Sequence, residues 1–318
     1  MKTGAVILAA GAPERMEGFR PLLYVGGKTM IRHIVDTLKA AGIDLIAVVT
    51  GYREDSVRKH LDGSGVRFVR NRYYADTQML DSLLLGADSL EKSCDRLLVI
   101  PADVPLVSAK TIASLLAWEA PVVRPVCEGQ AGHPVILSHD ALALLRRYQG
   151  EGGLAGMVEA LGLETADVPV PDRGVLMDAN TSEELERLQL LEKDLNGRGR
   201  LREHFDLQLA VDDVVMDGEM ARLLALVEDT GSLQTASVCV GSSYSKSWRR
   251  IRDLERQLGV EILQSVAGGA KGGGSRLTEA GACLLRTYLN MQEEGKKLMH
   301  WLFLEHFSEE VIQKIQKM

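Results

Sequence analysis

The chain has 318 residues, a formal net charge of −7 at pH 7 and 46% hydrophobic residues. This length predicts two domains with separate cores, and the negative charge excludes a protein that coats nucleic acid over its whole surface. The four cysteines are scattered without a C-x-x-C pair, which excludes a disulfide framework and a zinc site of that pattern. No apolar stretch is long enough to span a bilayer and no secretory pattern opens the chain, so we expect a cytoplasmic protein.

The first strand and the loop after it are the features around which the amino-terminal part is organised. An apolar run from Val6 to Ala10 has the length of a buried parallel strand. The loop begins at Gly11 and contains Arg15 and Arg20. Open α/β sheets bind ligands at the carboxyl ends of their strands, so this loop predicts a phosphate site with two arginine donors. The alternative is an irregular surface loop with two solvated arginines.

Strand and helix patterns alternate after this loop. Apolar spacing and turn residues predict helices at 29–41 and 56–61 and strands at 44–50, 66–69, 96–101 and 121–126. Such alternation favours an α/β fold with a Rossmann-like, mostly parallel sheet and helices on both faces.

Three oxygen-bearing side chains follow predicted elements at positions suited to a metal. Asp103 comes directly after strand 96–101 and has Pro101 and Pro105 beside it. One carboxylate together with substrate phosphates is a usual way to hold Mg²⁺, although Asp103 could instead cap a turn. Asp178 or Asn180 could supply a second oxygen ligand. The same segment also has the pattern of a helix start at residues 181–182, and both interpretations are compatible.

Residues 8–23 resemble the signature of MobA-like nucleotidyltransferases, L-A-A-G-x-x-x-R-M-G-x-x-K-x-L. The matching residues are Leu8, Ala9, Ala10, Gly11, Arg15, Met16, Leu22 and Leu23. Glu17 stands where the family has glycine, and Arg20 stands where it has lysine. The resemblance implies a fold of the nucleotide-diphospho-sugar transferase type. It also implies that a substrate phosphate attacks the α-phosphorus of a nucleoside triphosphate, with Mg²⁺ as the cofactor.

The resemblance also implies roles for individual residues. Nucleotide binding would involve Leu8, Ala9, Ala10, Gly11, Arg15, Arg20, Ser82 and Asp103, with Arg15, Arg20 and Asp103 as the catalytic residues. Asp103, Asp178 and Asn180 would hold the metal. Gly132-His133-Pro134 resembles the molybdopterin and related cytidylyltransferases, so His133 would position the acceptor substrate, together with Gly152 and Gly153 of a glycine-rich loop.

The last third of the chain has a different organisation. Its patterns predict strands at 205–211 and 214–216, helices at 220–227 and 233–240, and a third helix that begins after Ser242 or Ser243. We expect the buried stripe of the third helix to contain Tyr244, Trp248, Ile251, Leu254 or Glu255, and Leu258. Between Ser243 and Arg276, seven basic residues stand against three acidic ones, a local charge of +4. This arrangement is typical of a helix-turn-helix that contacts phosphates.

This region resembles the winged-helix domain of ModE-type molybdate-responsive regulators. The resemblance rests on T-G-S-L at 230–233, the aromatic third helix and the glycine-rich stretch 268–278. It implies contacts to duplex DNA from an exposed face and a wing, by Ser243, Lys246, Ser247, Arg249, Arg250, Lys271 and Arg276. The long apolar helix that follows, from Glu279, suggests a homodimer seam or docking onto the first domain.

The sequence thus predicts a MobA-like domain at 1–195, a linker at 196–202 and a winged helix with a dimerisation helix at 203–318. The expected function is transfer of CMP or GMP from CTP or GTP to a phosphorylated acceptor, with a molybdopterin cofactor favoured, coupled to transcription regulation. Two alternatives remain open. The first domain could only sense a nucleotide or cofactor, or it could transfer nucleotides to a sugar or alcohol phosphate.

Overall fold

The computed structural model describes residues 1–12, 19–148, 150, 152–197, 203–269, 272–307, 311 and 315. Arg15, Glu17 and Lys271 lie outside the described residues, as does most of the predicted linker. The chain divides by its internal contacts into two compact units, Met1–Asp194 and Leu195–Met318. Each unit is described separately.

A mixed but mostly parallel sheet forms the centre of the first unit, in the order β10-β7-β9-β6-β1-β4-β5, with β8 paired to β7. β9 runs antiparallel to both of its neighbours, and β8 runs antiparallel to β7. The predicted mostly parallel α/β sheet is confirmed. The strands of this sheet are β1 (Thr3–Ala9), β4 (Ile46–Thr50), β5 (Arg67–Arg70), β6 (Arg96–Pro101), β7 (Val122–Cys127), β8 (Gln130–Ala131), β9 (Val135–Ser138) and β10 (Thr165–Pro169). A separate small hairpin pairs β2 (Tyr24–Val25) with β3 (Lys28–Thr29).

Helices connect these strands. They are α1 (Met30–Ala40), α2 (Glu54–His60), α3 (Met79–Leu90), α4 (Ala109–Leu116), α5 (His139–Leu145), α6 (Gly153–Ala160) and α7 (Ser182–Gly197). α1 and α2 agree with the predicted helices at 29–41 and 56–61 to within two residues. α7 continues two residues beyond the predicted domain end at 195.

The core between α3 and the sheet requires very close packing. Val6, Val49 and Leu83 are all at most 3% exposed in this cluster. A Cβ atom on Gly86 of α3 would lie 2.6 Å from Val6 Cγ1 and 2.8 Å from Val49 Cγ2. Glycine therefore permits α3 to lie directly on β1 and β4, which fixes the position of the amino-terminal turn of α3.

The loops that leave β1, β4 and β6 meet at one edge of the sheet. Leu8 of β1 is in register with Pro101 of β6, and the amide of Ala102 donates to the Leu8 carbonyl at 3.0 Å. The amide of Tyr52, just after β4, donates to the Ala10 carbonyl at 3.0 Å. The sequence predicted this meeting point from the rule that parallel strands present their carboxyl ends together.

The second unit contains the predicted helix-turn-helix and wing. Its elements are β11 (Leu209–Ala210), β12 (Val214–Met216), α8 (Gly218–Thr230), α9 (Leu233–Cys239), α10 (Tyr244–Leu258), β13 (Leu263–Gly269), β14 (Gly272–Leu277) and α11 (Glu279–His306). Asp217, Ser232, Ser243 and Thr278 cap α8 to α11 with their side-chain oxygens, which explains where each of these helices begins.

The predicted strand at 205–211 is wrong over most of its length. Only Leu209–Ala210 pairs as a strand, because the preceding residues are bound to α11 instead. Tyr288 donates its hydroxyl to the Leu207 carbonyl at 2.6 Å, and the Phe205 ring occupies the space above Gly295.

The predicted faces of α10 are also partly wrong. Ser247 is only 1% exposed and belongs to the buried stripe with Ile251 and Leu254, whereas Tyr244 is 50% exposed. The prediction followed the large side chains, but in the first turns of α10 the small Ser247 is buried and the large Tyr244 is not. The Ser247 hydroxyl donates to Ser242 Oγ at 3.3 Å.

None of the helices in the described residues combines the length and the apolar character that a membrane span requires.

We expect Gly86→Ala to lower the free energy of unfolding of the first unit by about 1–3 kcal/mol, because the added methyl overpacks the core. Thermal and urea unfolding of the full chain measure this. Gly27→Ala is the matched control, since a Cβ there meets nothing within 4 Å and no positive φ opposes it. Equal stability of the two variants would contradict the close packing of α3.

Candidate functional site

A cavity of about 810 Å³ opens at the carboxyl edge of the sheet. Its walls come from the loops after β1, β5 and β6 and from the start of α7. The lining residues are 8–12, 19–21, 74–75, 77–79, Ser82, 101–103, 180–181 and Glu184. The structure therefore brings together most of the predicted nucleotide residues, namely Leu8, Ala9, Ala10, Gly11, Arg20, Ser82 and Asp103. The predicted role of each stays a prediction.

An ion pair between Arg20 and Asp103 lies in this cavity. Arg20 Nη1 is 3.3 Å from Asp103 Oδ2, and the two side chains are 24% and 19% exposed. Burial raises the pKa of Asp103, and the nearby Arg20 charge offsets this only in part while Asp178 adds to it. The buried Arg20 Nε has no hydrogen-bond partner among the described residues. Arg20 thus brings to the cavity a buried donor that no described residue satisfies.

The segment before α7 forms a helix cap that borders the same cavity. Glu184 Oε2 accepts hydrogen bonds from the amides of Asn180 and Thr181, at 2.8 and 2.9 Å, and the Glu184 amide donates to Thr181 Oγ1. The helix-cap interpretation is therefore confirmed. Asn180 Nδ2 donates to Asp178 Oδ2 at 2.6 Å, which holds these two predicted metal ligands side by side.

The donor set at this edge suits a hard divalent cation that keeps much of its water. No cluster of three or more His, Cys, Asp or Glu side chains with metal geometry occurs in the described part of the chain. Asp103 and Asp178 repel each other electrostatically, and burial disfavours the charged form of Asp103. A cation would relieve both effects, and two carboxylates completed by phosphate oxygens match the preference of Mg²⁺. The residues present therefore fit such an ion.

His133 lies close enough to sense the charges of Asp103 and Asp178. Burial lowers the pKa of His133, and those two carboxylates oppose the shift, so the imidazole favours its neutral form. The His133 amide donates to the Val175 carbonyl at 2.9 Å, and a Cβ on Gly132 would meet that carbonyl oxygen at 2.3 Å. Close backbone contact explains the glycine at this position.

Three of the predicted acceptor residues stand outside the cavity lining. His133, Gly152 and Gly153 do not contribute to its walls. Gly152 has a φ of 83° and is the cap residue at which α6 begins. The structure therefore explains this glycine by backbone conformation, and the acceptor role of all three residues stays a prediction.

Sequence analysis assigned Ser82 to the nucleotide site but gave no role to Asn71, which contacts Ser82 from behind the cavity wall. Asn71 is 2% exposed, and its Nδ2 donates to Thr77 Oγ1 at 2.9 Å and to Ser82 Oγ at 3.0 Å. Its Oδ1 accepts from the Tyr73 amide at 3.0 Å. The signal available in the sequence is an asparagine directly after a strand. In the fold its side-chain amide joins the two ends of the loop between β5 and α3.

The basic surface of the second unit is smaller than the sequence count suggested. Lys246, Arg249 and Arg276 are exposed and form no ion pair with any described residue. In contrast, Arg250 bonds to both carboxylate oxygens of Asp217, at 2.9 and 2.8 Å, and pairs with Glu219. Its charge is already balanced at the start of α8, which contradicts the expectation of a free Arg250 on the DNA face.

The remaining predicted DNA residues are less available than expected. Ser243 Oγ is occupied as the α10 cap and accepts from the Lys246 amide at 3.3 Å, and buried Ser247 cannot reach a ligand. Two exposed residues of α10 flank the half-buried Trp248. Tyr244 stacks on its ring with centroids 6.3 Å apart, and the Arg252 guanidinium lies 4.3 Å from the Trp248 centroid.

Each of the two units contains a segment that matches a known protein family. Residues 5–166 match the family model of the MobA-like NTP transferase domain. The chain belongs to this family. Residues 219–282 match the helix-turn-helix of bacterial regulatory proteins of the lysR family. This chain is therefore a fusion of a MobA-like NTP transferase domain with a lysR-type helix-turn-helix.

Curated relatives and a solved structure resemble the MobA-like domain. The bifunctional protein GlmU of Syntrophomonas wolfei is 35% identical over 118 residues, which cover 36% of this chain and 26% of that protein. GlmU of Staphylococcus saprophyticus is 27% identical over 203 residues, which cover 61% of this chain and 42% of that protein. The chain thus spans less than half the length of these curated relatives. A nucleotidyl transferase from Methanothermobacter thermautotroptrophicus superposes with a TM-score of 0.56 and 25% identity over 61% of this chain and 99% of that structure.

We expect Asp103→Asn to raise the melting temperature of the MobA-like domain at pH 7 in the absence of divalent cations. A raised pKa in the folded state means that ionised Asp103 opposes folding above this pKa. The stability gained by the variant should shrink as the pH falls and Asp103 becomes protonated. Differential scanning calorimetry across pH 4–8 measures this.

Asp167→Asn is the matched control of opposite sign. Arg124 donates to Asp167 at 2.6 Å and lowers its pKa, so ionised Asp167 favours folding at neutral pH. This variant should lose stability at pH 7 and match the unaltered chain at low pH. A fall in melting temperature for Asp103→Asn at pH 7 would contradict the electrostatic description of the cavity.

Proposed function

We propose that the MobA-like domain is a nucleotidyltransferase that transfers a nucleoside monophosphate from a nucleoside triphosphate to a phosphorylated acceptor. The observation that carries the proposal is the Arg20–Asp103 ion pair, whose Arg20 Nε has no partner among the described residues, in the 810 Å³ cavity at the ligand edge of the sheet. Phosphoryl chemistry of this type needs positioned positive charge and little covalent chemistry from the protein. Arg20 and a cation on Asp103 supply that charge at one place.

The proposed division of work follows from the cavity walls. Residues 8–11 present backbone amides of small residues to the triphosphate, and Arg15 and Arg20 donate charge-assisted hydrogen bonds to it. Asp103, with Asp178 and Asn180, would hold Mg²⁺, which neutralises phosphate charge when bound. The Arg20 Nε, buried without a partner among the described residues, gains an acceptor when a phosphate oxygen enters.

The acceptor that we propose is a molybdopterin-type phosphate, with CTP favoured over GTP as the donor. Gly132-His133-Pro134 supports this choice through its resemblance to molybdopterin and related cytidylyltransferases. The second unit supports it through its resemblance to ModE-type regulators, since both halves then serve molybdenum metabolism in the cytoplasm.

We expect Asp103→Asn to lower pyrophosphate release from CTP or GTP by at least about 100-fold, with Mg²⁺ and molybdopterin present. The substitution removes a charged ligand without a change of shape. The matched control is Asp167→Asn, which lies outside the cavity and should retain full turnover. Unchanged pyrophosphate release by Asp103→Asn would show that the metal site, and the mechanism built on it, is assigned to the wrong residue.

The Arg20→Lys variant distinguishes two hypotheses about the domain: that it is an active transferase, or that it only senses a nucleotide. Lysine is the family residue at this position, but it is a point charge without the planar fork of arginine. A gain in turnover for this variant would support the alternative that Arg20 adapts the domain to sensing. A loss would support arginine as the working group of an active transferase.

We propose that the second unit binds duplex DNA as a homodimer, with α10 in the major groove. Three exposed cationic side chains without ion pairs among the described residues, Lys246, Arg249 and Arg276, support phosphate contact, and Lys271 of the predicted wing would join them. Met291, Leu298 and Trp301 on α11 are each more than half exposed and would form the dimer seam. The domains that we propose span 1–195 and 203–318, with 196–202 as the linker.

We expect Arg249→Ala to weaken binding of the full chain to duplex DNA and to reduce the salt slope by about one unit, if Arg249 meets one phosphate. Fluorescence anisotropy between 50 and 200 mM salt measures this. Arg256→Ala is the matched control, because Arg256 lies on the same helix but pairs with Asp253 at 3.0 Å. Equal salt slopes for both variants would contradict the assignment of Arg249 to the DNA face.

A further inference from the structure

Asn71 occupies a buried position between β5 and α3, and its backbone amide and both polar side-chain atoms form hydrogen bonds. Its backbone amide donates to the Thr50 carbonyl at 2.7 Å, and its Oδ1 accepts from the Tyr73 amide at 3.0 Å. The two hydrogens of Nδ2 go to Thr77 Oγ1 and Ser82 Oγ, at 2.9 and 3.0 Å. The side chain is 2% exposed and does not line the cavity.

This hydrogen-bond pattern determines the direction of the Ser82 hydroxyl. Because an amide nitrogen can only donate, Ser82 Oγ must accept the bond from Asn71, and its own hydrogen must point elsewhere. No described residue accepts a hydrogen bond from Ser82 Oγ. Ser82 is 6% exposed and its remaining open side is the cavity wall. A buried hydroxyl with an unused donor is costly unless a ligand satisfies it.

The hydroxyl of Thr77, which also accepts a hydrogen bond from Asn71 Nδ2, differs from that of Ser82. It donates in turn to the Tyr73 carbonyl at 2.8 Å. The Thr77 hydroxyl is therefore satisfied within the loop, whereas the Ser82 hydroxyl is left for a ligand.

We propose that Asn71 is a positioning residue that orients the Ser82 hydroxyl as a hydrogen-bond donor to an acceptor atom of the bound nucleotide. This inference rests on the proposed nucleotide-binding function of the cavity. Asn71 touches no substrate atom, and its effect passes through Ser82.

A double-mutant cycle on the full chain tests the relay. Asn71→Asp keeps the shape but replaces a donor by an acceptor, so the Ser82 hydroxyl turns back toward the loop. Ser82→Ala removes the hydroxyl. Calorimetric titration with CTP and with GTP, each with Mg²⁺, should show about tenfold weaker binding for Ser82→Ala and at least as large a loss for Asn71→Asp. The double variant should lose less than the product of the two single losses.

The cycle removes effects of Asn71→Asp that do not pass through Ser82. Repulsion between the new carboxylate and the phosphates occurs in both backgrounds and cancels in the coupling term. Ser89→Ala is the matched control, because Ser89 on the same helix donates to the Gly86 carbonyl at 2.7 Å, away from the cavity, and should leave Kd unchanged. If Asn71→Asp does not fold, Asn71→Ala takes its place in the cycle.

Two failures can be told apart. If the unaltered chain binds CTP or GTP but the double variant loses the full product of the two single losses in affinity, only the role of Asn71 is overturned. Absence of CTP and GTP binding by the unaltered chain would overturn the proposed nucleotide site, and the inference with it.

Discussion

The close packing of α3 on β1 and β4 is the constraint on which the geometry of the proposed nucleotide site depends. Gly86 permits this contact, since any Cβ there would lie within 2.8 Å of Val6 and Val49 side-chain atoms. With α3 held on the sheet, Ser82 stands at the cavity wall and Asn71 reaches it from the end of β5. The cavity wall at Ser82 is thus a direct consequence of core packing, and the loops after β1, β5 and β6 and the start of α7 form the rest.

The electrostatics of the cavity leave Asp103 and Arg20 only partly compensated, which supports the proposed charged ligand. Asp103 is disfavoured as a carboxylate by burial and by Asp178, and its partner Arg20 contacts it at 3.3 Å with a single nitrogen. A structural ion pair would satisfy its buried atoms more completely, because an unsatisfied buried donor costs free energy. Arg250 in the second unit is an example, since its guanidinium engages two carboxylates. Arg250 thus serves a structural role, whereas the buried Nε of Arg20, unpartnered within the described part of the chain, supports its proposed role in binding.

Several features of the fold and site were predictable from the sequence because they depend on local pattern. The apolar runs that became β1, β4 and β6 are buried on both faces, and such runs are recognisable without a partner. Asp103 and Arg20 could be assigned to one site because parallel strands end at a common edge. The faces of α10 were not predictable from side-chain size, since Ser247 is buried by its neighbours and Tyr244 is not. The strand predicted at 205–211 was too long for a similar reason, because tertiary contacts with Tyr288 and Gly295 replace strand pairing before Leu209.

The sequence by itself determined the two-part organisation, the mostly parallel α/β sheet and the family, because strand length, turn residues and the L-A-A-G motif are local properties. Only the tertiary structure decided which charges are available. Arg249 and Arg250 are adjacent in the sequence, but only Arg250 meets carboxylates, which come from residues 31 and 33 positions away. Asn71 likewise gains its significance from Ser82, 11 positions along the chain, since hydrogen-bond direction depends on which groups the fold brings within 3.0 Å.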